Sequence, residues 1–202
     1  MSEQLLCGAA REVITPPAEM IDHLSGLMNS SFGGVVDDLY VRVIALEYAG
    51  KKMLLVSFDL DKAACPKENL EALEKETGIS KDSVLFIGIH THSAPVTGYR
   101  PHEGPNFIAR KPQIVKETTK RYEKFIQEKL LKAAHRALYE MRPAQLGFAY
   151  GESHVNVNRV AFYEVMDQTG SVHTEVSTGT NYKRPADPTL FVMKFQEMDG
   201  KP

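Results

Sequence analysis

Apolar and polar residues change period along this chain, and the changes mark its elements. Residues 5–14 read as a strand that Thr15-Pro16-Pro17 stops, because proline donates no ladder hydrogen bond. In residues 39–48, Leu39, Val41, Val43 and Ala45 share one face, and Tyr40, Arg42, Ile44 and Leu46 the other. Both faces are mostly apolar, which predicts a central strand. Ala49-Gly50-Lys51-Lys52 turns the chain into a strand at 53–60, making a β-hairpin. Pro66 suits the first turn of a helix with Leu70 and Leu73 on one face and Gly78 as terminator. The unbroken apolar run at 83–89 predicts a buried strand.

The longest helical pattern covers 114–141. Tyr122, Phe125, Ile126, Leu130, Ala133, Ala134, Ala137, Leu138 and Met141 trace one stripe at helical spacing, and Pro143 ends it. Strands are then expected at 144–150 and 190–196, on either side of a polar segment with a short hairpin around residues 167–170. Two long irregular stretches remain, 18–38 with Gly26, Gly33 and Gly34, and the Pro/Gly-rich run up to Pro112; loops of that length tend to be functional. Asp199-Gly200 is a hairpin signal with no second strand after it, so we expect a chain that stops part-way through a fold. The fold class expected is α/β, mixed β-sheets with flanking helices.

Composition narrows the function classes. At 202 residues, 43% apolar and 25% charged, the chain can enclose one sizeable core. A net charge of -2, with no Lys/Arg cluster, gives no electrostatic support for a nucleic-acid or anionic-membrane surface. No run approaches the roughly 18 apolar residues of a membrane span. The amino terminus lacks the basic start of a signal peptide, so a cytoplasmic location is expected. Cys7 and Cys65 are expected to be buried free thiols.

The densest chemistry lies in GIHTHSAP, residues 88–95. Residues i and i+2 of a strand point to the same face, so a strand persisting to residue 92 would project His90 and His92 together from its carboxyl end. Two neutral imidazoles on one face suit Zn²⁺. Alternatively, one binds metal while the other donates a hydrogen bond to substrate or water; the plainer reading has both capping strand-end carbonyls. Asp59 and Asp61 end the preceding strand, where an acid could orient His90 or His92, or simply shape a turn.

Four segments together resemble the amino-terminal part of the neutral/alkaline ceramidase family, zinc-dependent amidases that hydrolyse the N-acyl bond of ceramide. They are GAAREVITPP, GGVVDDLYVRVIALEYAGKKMLLVSFDL, GIHTHSAP and VNVNRV, and the likeness runs from about residue 7 to 200. Ala94 stands where the family motif has glycine. The resemblance implies that residues 1–202 are the amino-terminal portion of a catalytic domain. It makes His90 a zinc ligand and His92 a substrate-polarising or supporting histidine. It places Arg159, positioned by Asn158, against the scissile group. It also implies that the remaining ligands and a serine come from sequence outside this chain, which alone would be inactive, and that the substrate is an N-acyl, lipid-like small molecule.

Two other readings stay open: a different metallohydrolase using the HTH motif, and a non-catalytic domain binding a ligand or partner. A (β/α)₈ barrel is the weaker form of the first, since such barrels need about 250 residues. His23, His102, His135, His154 and His173 are each more simply solvated or hydrogen-bonded. An exposed sheet edge or core face would favour a homo-oligomer.

Overall fold

A computed structural model describes residues 4–26, 30–98 and 117–200. The apolar alternation of residues 39–48 folds as β2 (Tyr40–Tyr48), which pairs antiparallel with β1 (Leu6–Val13) and with β3 (Lys51–Phe58); a single-turn helix, α1 (Ala18–Ile21), lies between β1 and β2. Ala49 and Gly50 both have positive φ, 49° and 75°. They form the two-residue turn whose twist matches the flanking strands, so Lys51 and Lys52 belong to β3 rather than to the turn.

From β3 the chain crosses through α2 (Pro66–Thr77) to β4 (Val84–Gly88), which pairs parallel with β3. Pro66 occupies the first turn of α2, and Gly78, at φ 71°, closes it with a hydrogen bond to Glu74. The order is β4-β3-β2-β1, and Arg142 and Pro143, which open β5 (Arg142–Glu152), pair with Cys7 and Leu6 beyond β1.

Helix α3 (Glu117–Tyr139) covers one face of this sheet. Tyr122, Ile126, Leu130, Ala133, Ala134 and Ala137 are buried on it, against Val41, Val43, Ala45, Leu54, Val56 and Phe58 of the strands. The Tyr122 hydroxyl donates to the Ile14 carbonyl at 2.8 Å, and burial raises its pKa, so it stays a donor. Residues 114–116 of the expected helix and most of the Pro/Gly-rich run lie outside the described residues.

β2 is central, between β3 and β1, as its two apolar faces predict, although among the described residues α3 packs on one face and the other is half-buried. Two expectations need correction. Among the described residues β4 is an edge strand rather than a buried one: Val84 and Phe86 pack on the core, while Leu85 and Ile87, and Ile89 just after the strand, are 52, 44 and 55% exposed. Cys7 and Cys65 are half-buried, not enclosed.

The chain divides into two compact units, Met1–Ala144 and Gln145–Pro202. In the second, β5 continues beside β8 (Thr189–Glu197), and Phe191 lies 5.0 Å from Tyr150 between ring centroids. β6 (Val160–Met166) and β7 (Val172–Thr178) form an antiparallel hairpin around the turn expected at 167–170. The Asp167 carboxylate holds that turn, accepting from the Thr169 and Ser171 amides at 2.8 and 3.0 Å. Its strands run longer than the short hairpin expected. Among the described residues no helix is long and apolar enough to cross a membrane.

Gly8 sits where α3 meets β1. A Cβ there would lie 2.1 Å from the Ala137 carbonyl oxygen and 2.8 Å from the Met141 amide, both backbone atoms. Gly8→Ala should therefore lower stability by about 1–3 kcal/mol, the usual cost of overpacking. The urea midpoint measures it; an unchanged midpoint would mean that α3 lifts off β1 without cost.

Candidate metal centre

Parallel pairing brings the carboxyl ends of β3 and β4 side by side, with Phe58 opposite Gly88. The polar segments that follow, Asp59-Leu60-Asp61 and Ile89-His90-Thr91-His92, therefore leave the sheet at one point. The Ile89 amide donates to the Phe58 carbonyl at 3.1 Å. The Leu60 carbonyl then accepts from both His90 and Thr91, at 3.0 and 3.2 Å. This double acceptance bends the chain, and His90 takes a left-handed conformation with φ 68°.

The bend corrects the expected route by which the histidines meet. β4 ends at Gly88, so strand alternation does not align His90 with His92. The turn folded onto Leu60 does so instead, setting the two imidazoles edge to face with centroids 4.5 Å apart. His90 Nδ1 lies 2.9 Å from Asp61 Oδ1. Asp61, His90 and His92 thus bring ligand atoms within 4.8 Å of one another. The carboxylate is 9% exposed and the His90 side chain 69%, so the group opens outward from a buried acid.

Asp59 and Asp61 divide the roles that the sequence left open between them. Asp59 accepts from Arg42 Nη1 and, at 3.0 Å, from the Tyr40 amide, so it locks the end of β3 to β2. Asp61 alone of the pair reaches His90. Gly88 permits this approach, since a Cβ there would lie 2.5 Å from Lys62 Cα and 2.9 Å from the Ala63 amide nitrogen. Downstream, Ala94 and Pro95 are buried, and the Val96 amide donates to the Ser25 carbonyl at 2.9 Å, tying the loop to residues 24–26.

The donor set fits a zinc-like cation. Imidazole nitrogens at about 2.0–2.1 Å and a carboxylate oxygen at about 2.0–2.2 Å around a tetrahedral ion stand roughly 3.3 Å from one another. Small side-chain rotations bring groups already within 4.8 Å to that spacing. Alternatively, Nδ1 keeps its hydrogen bond to the Asp61 carbonyl oxygen at 3.3 Å, with the carboxylate 2.9 Å away, which holds the His90 ring and leaves Nε2 as the metal-facing atom.

Asn158 and Arg159 belong to the second unit. Asn158 organises its own loop: Nδ2 donates to the Pro185 carbonyl at 3.0 Å, and Oδ1 accepts from the Val160 amide at 2.9 Å. Its carbonyl accepts from the Asn181 amide at 2.8 Å. Next to it, exposed Arg159 receives the Gly179 amide on its carbonyl at 3.1 Å. His154 and His173 lie beside Glu152 and Glu175, at 3.4 and 3.2 Å. His23 and His135 are exposed, and His102 falls outside the described residues.

Comparison with solved structures addresses the whole chain. The fold is that of part of a neutral ceramidase. The chain superposes on neutral ceramidase from Pseudomonas aeruginosa with a TM-score of 0.66 and 18% identity, covering 100% of this chain and 31% of that one. A ceramidase structure complexed with C2 gives a TM-score of 0.67 and 17% identity, over 99% of this chain and 30% of that one. The chain thus spans about 30% of the ceramidase chains it matches. No family model and no curated protein matches the sequence.

Because Gly88 lets the Asp61 segment lie against β4, Gly88→Ala should push the two loops apart. The expected result is a stability loss of about 1–3 kcal/mol, with the His90 ring resonances moving toward those of an Asp61→Asn chain. NMR of the imidazole protons follows it, and unshifted His90 signals would show that the loops close without this contact.

Proposed function

We propose that this chain is the metal-binding, amino-terminal part of a zinc-dependent amide hydrolase of the ceramidase kind, acting on an N-acyl, lipid-like substrate. The observation that carries the proposal is the convergence of Asp61, His90 and His92 at the paired ends of β3 and β4. The ceramidase likeness supports the hydrolase class through the fold and supplies the N-acyl substrate by analogy.

Each residue has a role in this reading. The Asp61 carbonyl oxygen, 3.3 Å from His90 Nδ1, and its carboxylate, 2.9 Å away, hold the direction of the ring. His90 offers Nε2 as ligand. His92 is either a second ligand or a donor to the acyl carbonyl. Bound at this point, a divalent cation supplies Lewis acidity and an acidified water for attack near neutral pH. The ceramidase resemblance gives Arg159, on a loop shaped by Asn158, the role of stabilising the oxyanion; comparable donors contribute roughly 3 kcal/mol in the transition state. Catalytic zinc usually has three protein ligands plus an open position. The ceramidase resemblance assigns the remaining ligands to the rest of the domain, so the isolated chain should bind metal weakly and catalyse nothing.

Metal titration tests the reading directly. Zn²⁺ should bind the chain near one equivalent, Asp61→Asn should weaken it about 10–100-fold, and His90→Ala should abolish it. Less than a tenth of an equivalent on the chain, unaffected by His90→Ala, would sink the metal reading and favour a non-catalytic domain. A fluorogenic N-acyl substrate should be left uncleaved by the chain alone; turnover that His90→Ala removes would refute its incompleteness.

A further inference from the structure

Helix α3 reaches the candidate centre through one carboxylate. Glu123 follows the core residue Tyr122 and accepts a hydrogen bond from the Gly98 amide at 2.6 Å. Gly98, with φ 80°, lies three residues beyond Pro95, downstream of the two histidines. Cys65 lines the same cleft as Glu123, together with Glu68, Asn69 and Gln127. Cys65 caps α2 in a left-handed conformation, φ 33°, four residues after Asp61 at the end of the acidic loop. Burial pushes this thiol's pKa up to about 12, with Glu123 adding to the effect, so it stays protonated at neutral pH.

One turn further along α3, Gln127 repeats the arrangement. Its Nε2 donates to Asn69 Oδ1 at 3.0 Å, and Asn69 Nδ2 donates to the Ala64 carbonyl at 2.7 Å. The helix thus holds the segment after Asp61 through Gln127 and Asn69 and the segment after His92 through Glu123, which also stands in the cleft beside Cys65. Loops that carry ligands gain precision when rigid elements hold their ends.

We propose that Glu123 is a positioning residue of the metal centre, holding the segments that follow Asp61 and His92 against α3 so that the three donors stay in register. This rests on the metal-binding reading above. Glu123 is not a ligand in this account; its carboxylate holds the Gly98 amide and stands in the cleft beside Cys65.

Co²⁺ titration of the full 202-residue chain, followed by visible absorption and by competition with Zn²⁺, tests it on the wild type and three variants. Glu123→Ala should weaken binding at least about tenfold, as loss of a supporting residue does, and alter the shape of the Co²⁺ absorption band. Glu123→Gln keeps a carbonyl oxygen at the same reach and should restore both affinity and band shape. Should Glu123→Ala fail to fold, Glu123→Asp carries the same expectation of loss, since it is one methylene too short to hold the Gly98 amide. Wild-type affinity and band shape in the folded Ala or Asp variant would overturn the proposal. Equal loss in the Ala and Gln variants would overturn it too, by making the effect one of charge. No binding by the wild-type chain would fail the metal reading itself, an outcome distinct from either.

Discussion

The Leu60 carbonyl accepts two amides, from His90 and from Thr91, and the candidate centre depends on that one oxygen. Backbone groups at the end of a parallel strand pair have no further ladder to join, and leaving them bare inside the protein would be costly. Leu60 itself is buried in the core, so the oxygen is anchored by the packing around its side chain. Wrapping residues 90 and 91 around it turns the histidine segment back over the acidic one. The contacts of Asp61 with His90 and of His90 with His92 follow from this turn rather than from any attraction between the side chains.

Much of this was legible in the sequence. Alternation in residues 39–48, Pro66 with Gly78, and the helical stripe from Tyr122 to Ala137 correspond to burial against one face and to capping, which are local physics. The sequence placed Asp59 or Asp61 near His90 or His92 at adjoining strand ends, with a turn role as the alternative, and left open which acid meets which histidine. The manner of their meeting was not legible. A positive φ at His90 comes from a carbonyl thirty residues earlier, and no periodicity records it. Nor did the apolar run at 83–89 reveal an edge, because the sequence says that a face can be buried but not what lies beside it. Glu123 went unnoticed for a similar reason. On a long amphipathic helix it looks like one more solvated acid, and only its position over two loop ends distinguishes it.

The two units differ in how their polar residues are used. In the first, acids and amides are spent joining distant segments: Asp59 joins β3 to β2, Glu12 meets Lys129 and Lys132 of α3, and Asn69 meets Gln127. In the second, Asp167 and Asp187 serve turns within a few residues of themselves, while the Asn156, Asn158 and Asn181 side chains tie its loops to the Asp187, Pro185 and Val160 carbonyls. Local hydrogen bonds lower the pKa of Asp167 and of Asp187 below the ordinary carboxylate value, so these turns keep their charge into mild acid. Charged ties thus bind sheet and helix in the first unit, and neutral amides bind loop to loop in the second.

His90 also has a history written into its backbone. The left-handed region is one that glycine enters freely and histidine only at a cost, of order 1–3 kcal/mol for strained conformations of this kind. Glycine would take up the same turn without that steric cost. A sequence drifting under selection for folding alone would therefore move toward glycine at this position. Histidine standing there sets stability against use at a single residue, which is what a loop kept for its chemistry would retain.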